Sequence, residues 1–143
     1  MKGIKLTVAL LVALALLASA SNVSATGSND RCYKEVSIDV KPNALNLGSN
    51  GVVTVNIDRD CELQDCECIK VVAVGLLKDG NKIPLNYDCY KVKYGKDITV
   101  QFKDLDVYGC PPDANKLYIV FKCWNGCYYK YYYGCDCIRL VPP

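Results

Sequence analysis

The stretch that decides the fold is IKVVAVGLL, residues 69–77. It is apolar on both faces and rich in β-branched residues, a pattern typical of a central β-strand that is covered on both sides. The turn-forming residues KDGN follow directly at positions 78–81. We therefore expect a β-sheet with this strand in its interior.

Shorter segments on either side alternate between apolar and polar residues, as half-buried strands do. They are residues 33–40, 51–57, 83–87, 98–102, 117–123, 128–133 and 137–141. Turn chemistry rich in Asn, Gly and Ser separates several of them, most clearly at residues 42–51. Seven or eight short strands without a helical period predict an all-β fold, specifically an immunoglobulin-like antiparallel β-sandwich.

The first 25 residues have the layout of a secretory signal peptide. A lysine-bearing start precedes an apolar run at residues 6–18, and small residues place the cleavage after Ala20 or Ala25. The apolar run is too short for a comfortable membrane span. We expect a secreted, extracellular protein with no membrane span after cleavage. The alternative is a pilin-like subunit that keeps this apolar segment as a helix.

The chain beyond the signal is one domain by size, about 120 residues. We expect residues 26–32 to form a flexible leader and residues 33–143 to form the sandwich. Of 17 basic and 15 acidic residues, Lys2 and Lys5 lie in the signal, so the remaining charge is balanced. Nucleic-acid binding requires a basic face, which this spacing of lysines among acids does not indicate.

All ten cysteines follow the signal: Cys32, Cys61, Cys66, Cys68, Cys89, Cys110, Cys123, Cys127, Cys135 and Cys137. An even count in a small exported chain predicts a framework of five disulfides, whose connectivity the sequence leaves open. The two C-x-C pairs, in which both side chains of a strand point to one face, are expected to join different elements. Metal binding and redox-active thiols are the alternatives, although the chain has no histidine and no C-x₂-C spacing.

Five tyrosines stand between cysteines in CWNGCYYKYYYGCDC, residues 123–137: Tyr128, Tyr129, Tyr131, Tyr132 and Tyr133. Alternation places Tyr129, Tyr131 and Tyr133 on one face of a strand and the other two on the opposite face. One face is expected to pack inward, and the other to present rings that suit protein or sugar contacts. The alternative is that tyrosine simply favours strands. Trp124 is expected in the core or at the seam of the sandwich.

The loop IDRDCELQDCEC at residues 57–68 is acidic. Its Asp58, Asp60, Glu62 and Asp65 are candidate Ca²⁺ ligands, with a solvated loop as the alternative because the residue order of an EF-hand is missing. Without histidine there is no Ser-His or Cys-His pair for nucleophilic catalysis. We therefore predict no enzyme activity and no cofactor other than, as an alternative, calcium.

The opening strands resemble a known family. IDVKP (38–42), LNL (45–47) and SNGVVTV (49–55) resemble the pattern IDIKPGS…IN…S.G.V.VAI of a secreted bacterial and archaeal domain family. The later segments IKVVAVGLLKDGNKIPLNYD, ITVQFKDLDV, KLYIVFKCWNG and CDCIRLV resemble its later strands. The resemblance thus covers about residues 33–141.

The resemblance implies an immunoglobulin-like sandwich of exported, often multidomain, surface proteins and no known catalytic activity. This chain departs from it in two ways. The family's Asp-rich DVDGDG loop, which can hold Ca²⁺, is replaced by YDCYKVKYGKD (87–97), whose only acids are Asp88 and Asp97. The family pattern is also not cysteine-rich, so crosslinks are expected to substitute for calcium here.

These features predict an exported, non-enzymatic structural or interaction protein, most specifically a subunit of a filament or surface assembly. Its expected partners are other copies of itself or other surface proteins. Strand addition at a sheet edge is one way to join sandwiches, and residues 26–34, with Cys32, are the candidate donor segment. The alternatives are a secreted carbohydrate- or calcium-binding module and the pilin-like subunit.

Overall fold

Eleven β-strands and one short 3₁₀ helix (Cys61–Leu63) make up residues 33–143, the part of the chain that the computed structural model describes. The strands are β1 (Lys34–Glu35), β2 (Ile38–Lys41), β3 (Ala44–Asn46), β4 (Gly51–Ile57), β5 (Cys68–Lys78), β6 (Asn81–Pro84), β7 (Cys89–Tyr94), β8 (Ile98–Leu105), β9 (Lys116–Trp124), β10 (Tyr129–Cys137) and β11 (Arg139–Val141). The expected signal peptide, the flexible leader and Cys32 lie outside the described residues.

The strands form two main sheets, which we call the larger and the smaller sheet. The larger sheet has the strand order β1-β10-β9-β5-β6, the smaller sheet has the order β2-β4-β8-β7, and β11 pairs with β3 separately. Pairing is antiparallel except for β1 with β10 and β11 with β3. The predicted central strand β5 lies inside the larger sheet, between β9 and β6. The all-β, sandwich-like fold is thus confirmed, with eleven strands instead of seven or eight.

The inward faces of the two sheets share one apolar core. Its fully buried side chains include Val53, Val55 and Ile57 of β4, Ile98, Val100 and Phe102 of β8, and Leu117, Ile119 and Phe121 of β9. These residues recur at every second position, because successive side chains of a strand point to opposite faces. Each such burial stabilises the fold by about 1.5–3 kcal/mol relative to an exposed side chain.

The chain changes sheets at Val36–Ser37. β1 pairs with β10, whereas β2 pairs with β4, so the single strand predicted at residues 33–40 is two strands in different sheets. The Val36 N–H still donates to the Tyr133 carbonyl at 2.9 Å. A methyl group at Gly134 would lie 2.7 Å from both the carbonyl oxygen of Val36 and Cγ2 of Ile38. Glycine therefore allows the crossing chain to lie directly on β10.

Two strands lie where the sequence predicted no strand. β3 lies inside the expected turn at residues 42–51 and pairs with β11. β7 occupies most of residues 87–97, where the resembling family has its calcium loop, and pairs with β8 at the edge of the smaller sheet. Lys91 and Lys93 of β7 are exposed.

No helix within residues 33–143 is long and apolar enough to cross a membrane. The 3₁₀ helix is the only helical element in that range and spans three residues.

Candidate contact surface on the larger sheet

The larger sheet has an outer face that points away from the core. Residues paired across neighbouring strands share a face, and the inward positions are taken by core residues such as Ile69, Ile119 and Phe121. The outward residues form five rows across the sheet: Cys68–Trp124–Tyr129, Lys70–Lys122–Tyr131, Ala73–Val120–Tyr133, Gly75–Tyr118–Cys135 and Lys82–Leu77–Lys116–Cys137.

The five tyrosines divide between the two faces and the preceding turn. Tyr129, Tyr131 and Tyr133 lie half-buried on the outer face, in line with the predicted alternation. Tyr132 points inward, is 2% exposed and stacks on Phe121 with ring centres 5.5 Å apart. Tyr128 precedes β10 and is 58% exposed. The outer face thus carries every second ring of the strand.

The rings of the outer face pack against one another in pairs. Tyr33 stacks on Tyr131 with ring centres 5.7 Å apart, and Trp124 lies 5.1 Å from Tyr129. The expectation that Trp124 lies in the core or at the seam is wrong, because Cys123 takes the inward position and Trp124 points outward. We call the group Tyr33, Trp124, Tyr129 and Tyr131 the aromatic patch.

Four lysines share the outer face with these rings: Lys70, Lys82, Lys116 and Lys122. Lys70 lies directly opposite Lys122, whose Nζ is 4.4 Å from the ring centre of Tyr129. None of the four forms an ion pair with an acidic side chain of residues 33–143. Sequence spacing did not reveal this basic group, because strand register alone brings residues so far apart in the chain together.

The far end of the outer face is closed. Tyr118 is 3% exposed even though it points outward. Its ring lies over Gly75, where a methyl group would be 2.7 Å from the ring, and Nζ of Lys82 is 5.7 Å from the ring centre. Burial raises the pKa of Tyr118 to about 12. The outer face therefore offers the rings of the aromatic patch and of Tyr133, but not that of Tyr118.

The acidic loop beside the aromatic patch is structured, and its candidate calcium ligands do not converge. Asp60 caps the 3₁₀ helix by accepting the Glu62 N–H at 2.9 Å. Glu62 contacts Nζ of Lys130 at 2.6 Å and of Lys34 at 3.6 Å, and the hydrogen bond from Lys130 lowers its pKa. No group of three or more His, Cys, Asp or Glu side chains in residues 33–143 is placed to hold a metal ion. The candidate set Asp58, Asp60, Glu62 and Asp65 is thus not a preformed site.

Arg59 fastens this loop to the turn between β7 and β8. Its guanidinium donates to the carbonyls of Cys66 at 2.5 Å and Gly95 at 3.3 Å. Asp97 accepts the Asn56 side-chain amide at 3.0 Å and the Arg59 N–H at 3.5 Å, and the bond from Asn56 is the main cause of its lowered pKa. Asp97 is therefore a structural anchor.

A pocket of about 310 Å³ lies elsewhere on the domain. It is lined by Asn50, Asn86, Tyr87, Asp88, Asp104, Asp106 and Tyr108. The hydrogen bond and negative charge of Asp104 raise the pKa of Asp88. Spacing along the chain does not reveal this pair, because Asp88 precedes β7, Asp104 belongs to β8, and only the pairing of these two strands brings the carboxyls together.

One disulfide, Cys66–Cys123, joins the acidic loop to β9 across 57 residues. The other described cysteines, Cys61, Cys68, Cys89, Cys110, Cys127, Cys135 and Cys137, carry thiols in this structure. Cys66 and Cys68 do not share a face, because β5 begins at Cys68 and Cys66 lies before it. One predicted bridge is thus present, and the other four remain a prediction.

No protein-family model matches the chain. A comparison with curated proteins finds no significantly similar sequence. The resemblance to the secreted domain family therefore stays a prediction, and the function has to be inferred from the surface itself.

Proposed function

We propose that this protein is an exported, non-enzymatic assembly subunit, and that the outer face of the larger sheet is its contact surface. The observation that carries the proposal is the aromatic patch beside lysines that have no acidic partner within residues 33–143. The signal-like N-terminus and the disulfide support a location outside the cell. The partners are other copies of the chain or neighbouring surface proteins.

The chemistry of the aromatic patch suits a protein interface. Tyrosine and tryptophan bury a large area at a low cost in side-chain entropy, and their polar atoms still form hydrogen bonds. Both residues are enriched among those that dominate binding energy. The rings already hold one another in place, so binding does not have to order them. The rings of the aromatic patch therefore contribute binding energy at a low cost in side-chain entropy.

The test is the association state of the full-length protein, measured by sedimentation and by electron microscopy. The variant Tyr129→Ser/Tyr131→Ser is expected to weaken association, while Tyr108→Ser, which removes a ring 56% exposed outside the outer face, has no effect. Near-ultraviolet circular dichroism and thermal melting verify that both variants fold. Unmodified protein that stays monomeric at high concentration would rule out assembly through copies of this chain.

Carbohydrate binding is a second candidate, favoured by the near-parallel Tyr33–Tyr131 stack, whose planes differ by 12°. Aromatic rings contact the apolar faces of sugars, and tyrosine hydroxyls bond to sugar hydroxyls. Calorimetry with neutral and acidic glycans separates the two candidates. Binding that disappears in Tyr129→Ser/Tyr131→Ser, in a protein that remains monomeric, would support the carbohydrate function.

A further inference from the structure

We propose that the aromatic patch and its lysines bind residues 58–67, the part of the acidic loop that lies between β4 and β5, of a second copy of this chain. This inference rests on the proposed assembly function and names the surface that fits the outer face. It is carried by two exposed surfaces of opposite charge on one domain, neither of which is neutralised by the other.

The basic side of the contact is the row Lys70–Lys122. The two ammonium groups occupy directly opposed positions on β5 and β9, an arrangement in which like charges destabilise a sheet. The row continues to Tyr131, whose ring stacks on Tyr33. Negative groups placed over this row would relieve the repulsion while the rings beside it become buried.

The acidic side is the exposed part of the loop. Asp58, Asp60, Asp65 and Glu67 are exposed, and no ion pair within residues 33–143 engages them. Glu62, the remaining acid of the loop, is held by Lys130 and Lys34. The loop thus presents four carboxylates that can pair with another molecule.

The loop is also held in shape before any contact forms. Arg59 bonds to the carbonyls of Cys66 and Gly95, and the Cys66–Cys123 bridge fixes the end of the loop to β9. A preformed loop loses little conformational entropy on binding. Its carboxylates therefore contribute to affinity without a large ordering cost.

Within one copy the two surfaces lie near each other in sequence but do not pair. Glu67 lies beside the hairpin turn between β9 and β10, where a methyl group at Gly126 would be 3.2 Å from its Oε2. Because the contact joins two different surfaces, a bound pair still offers a free acidic loop on one copy and a free basic face on the other. Head-to-tail contacts of this kind form rings or open filaments, which agrees with an assembly subunit.

Charge reversal tests this contact on the full-length protein. The face variant is Lys70→Glu/Lys122→Glu, and the loop variant is Asp65→Lys/Glu67→Lys. We expect each alone to weaken association about tenfold or more by sedimentation, since several opposed charges become like charges. An equimolar mixture of the two variants, or one chain that carries all four changes, should regain association.

The matched control is Lys91→Glu/Lys93→Glu, which makes the same charge change on β7 and should leave association unchanged. Lys70→Gln/Lys122→Gln replaces the face variant if thermal melting shows that the latter is unfolded. We expect Lys70→Gln/Lys122→Gln to weaken association less than the charge reversal does. Adding Asp65→Lys/Glu67→Lys to it should weaken association no further, because the positive charges that the loop pairs with are already absent.

The outcomes separate this inference from the proposed function. Recovery in the mixture supports the contact. A loss in the face variant with no loss in the loop variant overturns it, because the basic row then meets a different surface of the second copy. Association that neither variant changes overturns the contact but leaves the assembly function standing. An unmodified protein that never associates contradicts both this contact and self-assembly, the part of the proposed function on which it rests.

Discussion

Gly134 is the residue on which the junction of the two sheets depends. A Cβ atom there would approach Ile38 Cγ2 and the Val36 carbonyl to 2.7 Å. Gly134→Ala is therefore expected to lower the free energy of unfolding by about 1–3 kcal/mol, the usual cost of overpacking. Urea denaturation measures it. Gly95→Ala is the control, since a methyl group there would be 3.7 Å from its nearest neighbour, and equal losses would contradict the role of Gly134.

The contact between Asp104 and Asp88 makes the stability of the domain depend on pH. The folded-state pKa of Asp88 is raised by Asp104, so the folded chain holds the shared proton more tightly and loses stability as rising pH removes it. Asp104→Asn should therefore raise the melting temperature at pH 7 and have little effect at pH 3. The control is Asp79→Asn, because Asp79 and Asp104 both have positive φ, 51° and 53°. The same gain in both variants would point to backbone preference instead.

At the level of elements, the disulfide joins the loop before β5 to the strand beside it. Its removal by Cys66→Ala/Cys123→Ala is expected to cost about 4 kcal/mol in urea denaturation, because a bridge across 57 residues restricts the unfolded chain strongly. The comparison Cys61→Ala/Cys127→Ala removes two exposed cysteines that carry thiols in this structure. Their removal costs less than about 1 kcal/mol if they are thiols and several kcal/mol if they are bridged. An equal loss would mean that these two are bridged as well, as the cysteine count predicts.

Strands that show an apolar pattern in their own residues were predictable from the sequence. Strands that form only by pairing with segments distant in the chain were not. β4 alternates throughout, and β8 alternates over its first five residues, because one face of each meets the core. β9 shows a continuous apolar run instead, and its residues 117–121 are all buried. β3 has three residues and exists through its pairing with β11. β7 was missed because its edge position leaves most of its side chains in water. The same holds for the contact surface: alternation predicts which tyrosines share a face, but only register brings the lysines to them.

At the scale of the molecule, charge is sorted between sheets and loops. The outer face of the larger sheet carries lysines, and β7 of the smaller sheet carries more, while many carboxylates lie in the loop 58–67 and around the pocket. The net charge of the chain is thus nearly balanced, although its surface carries separate basic and acidic regions. Sorting of this kind favours directed contacts between copies, since matching potentials set orientation more than affinity.

Salt should therefore weaken assembly. Raising NaCl from 0.1 to 1 M shortens the screening length from about 10 Å to about 3 Å, and sedimentation is expected to show smaller species at the higher concentration. The Lys91→Glu/Lys93→Glu protein should respond in the same way. Association that strengthens with salt would contradict a charge-directed contact, because that response is the one expected of a contact driven by apolar burial alone.

The edge position of β7 bears on how the protein avoids amyloid-like stacking. Its outer edge pairs with no described strand, and an open edge is a template on which a strand of another molecule can grow into amyloid-like stacks. Lys91 and Lys93 are exposed along this edge, so edge-to-edge stacking would bring like charges together at each added layer. The repulsion between these lysines opposes fibril growth through backbone pairing, so the proposed assembly would proceed through folded faces instead.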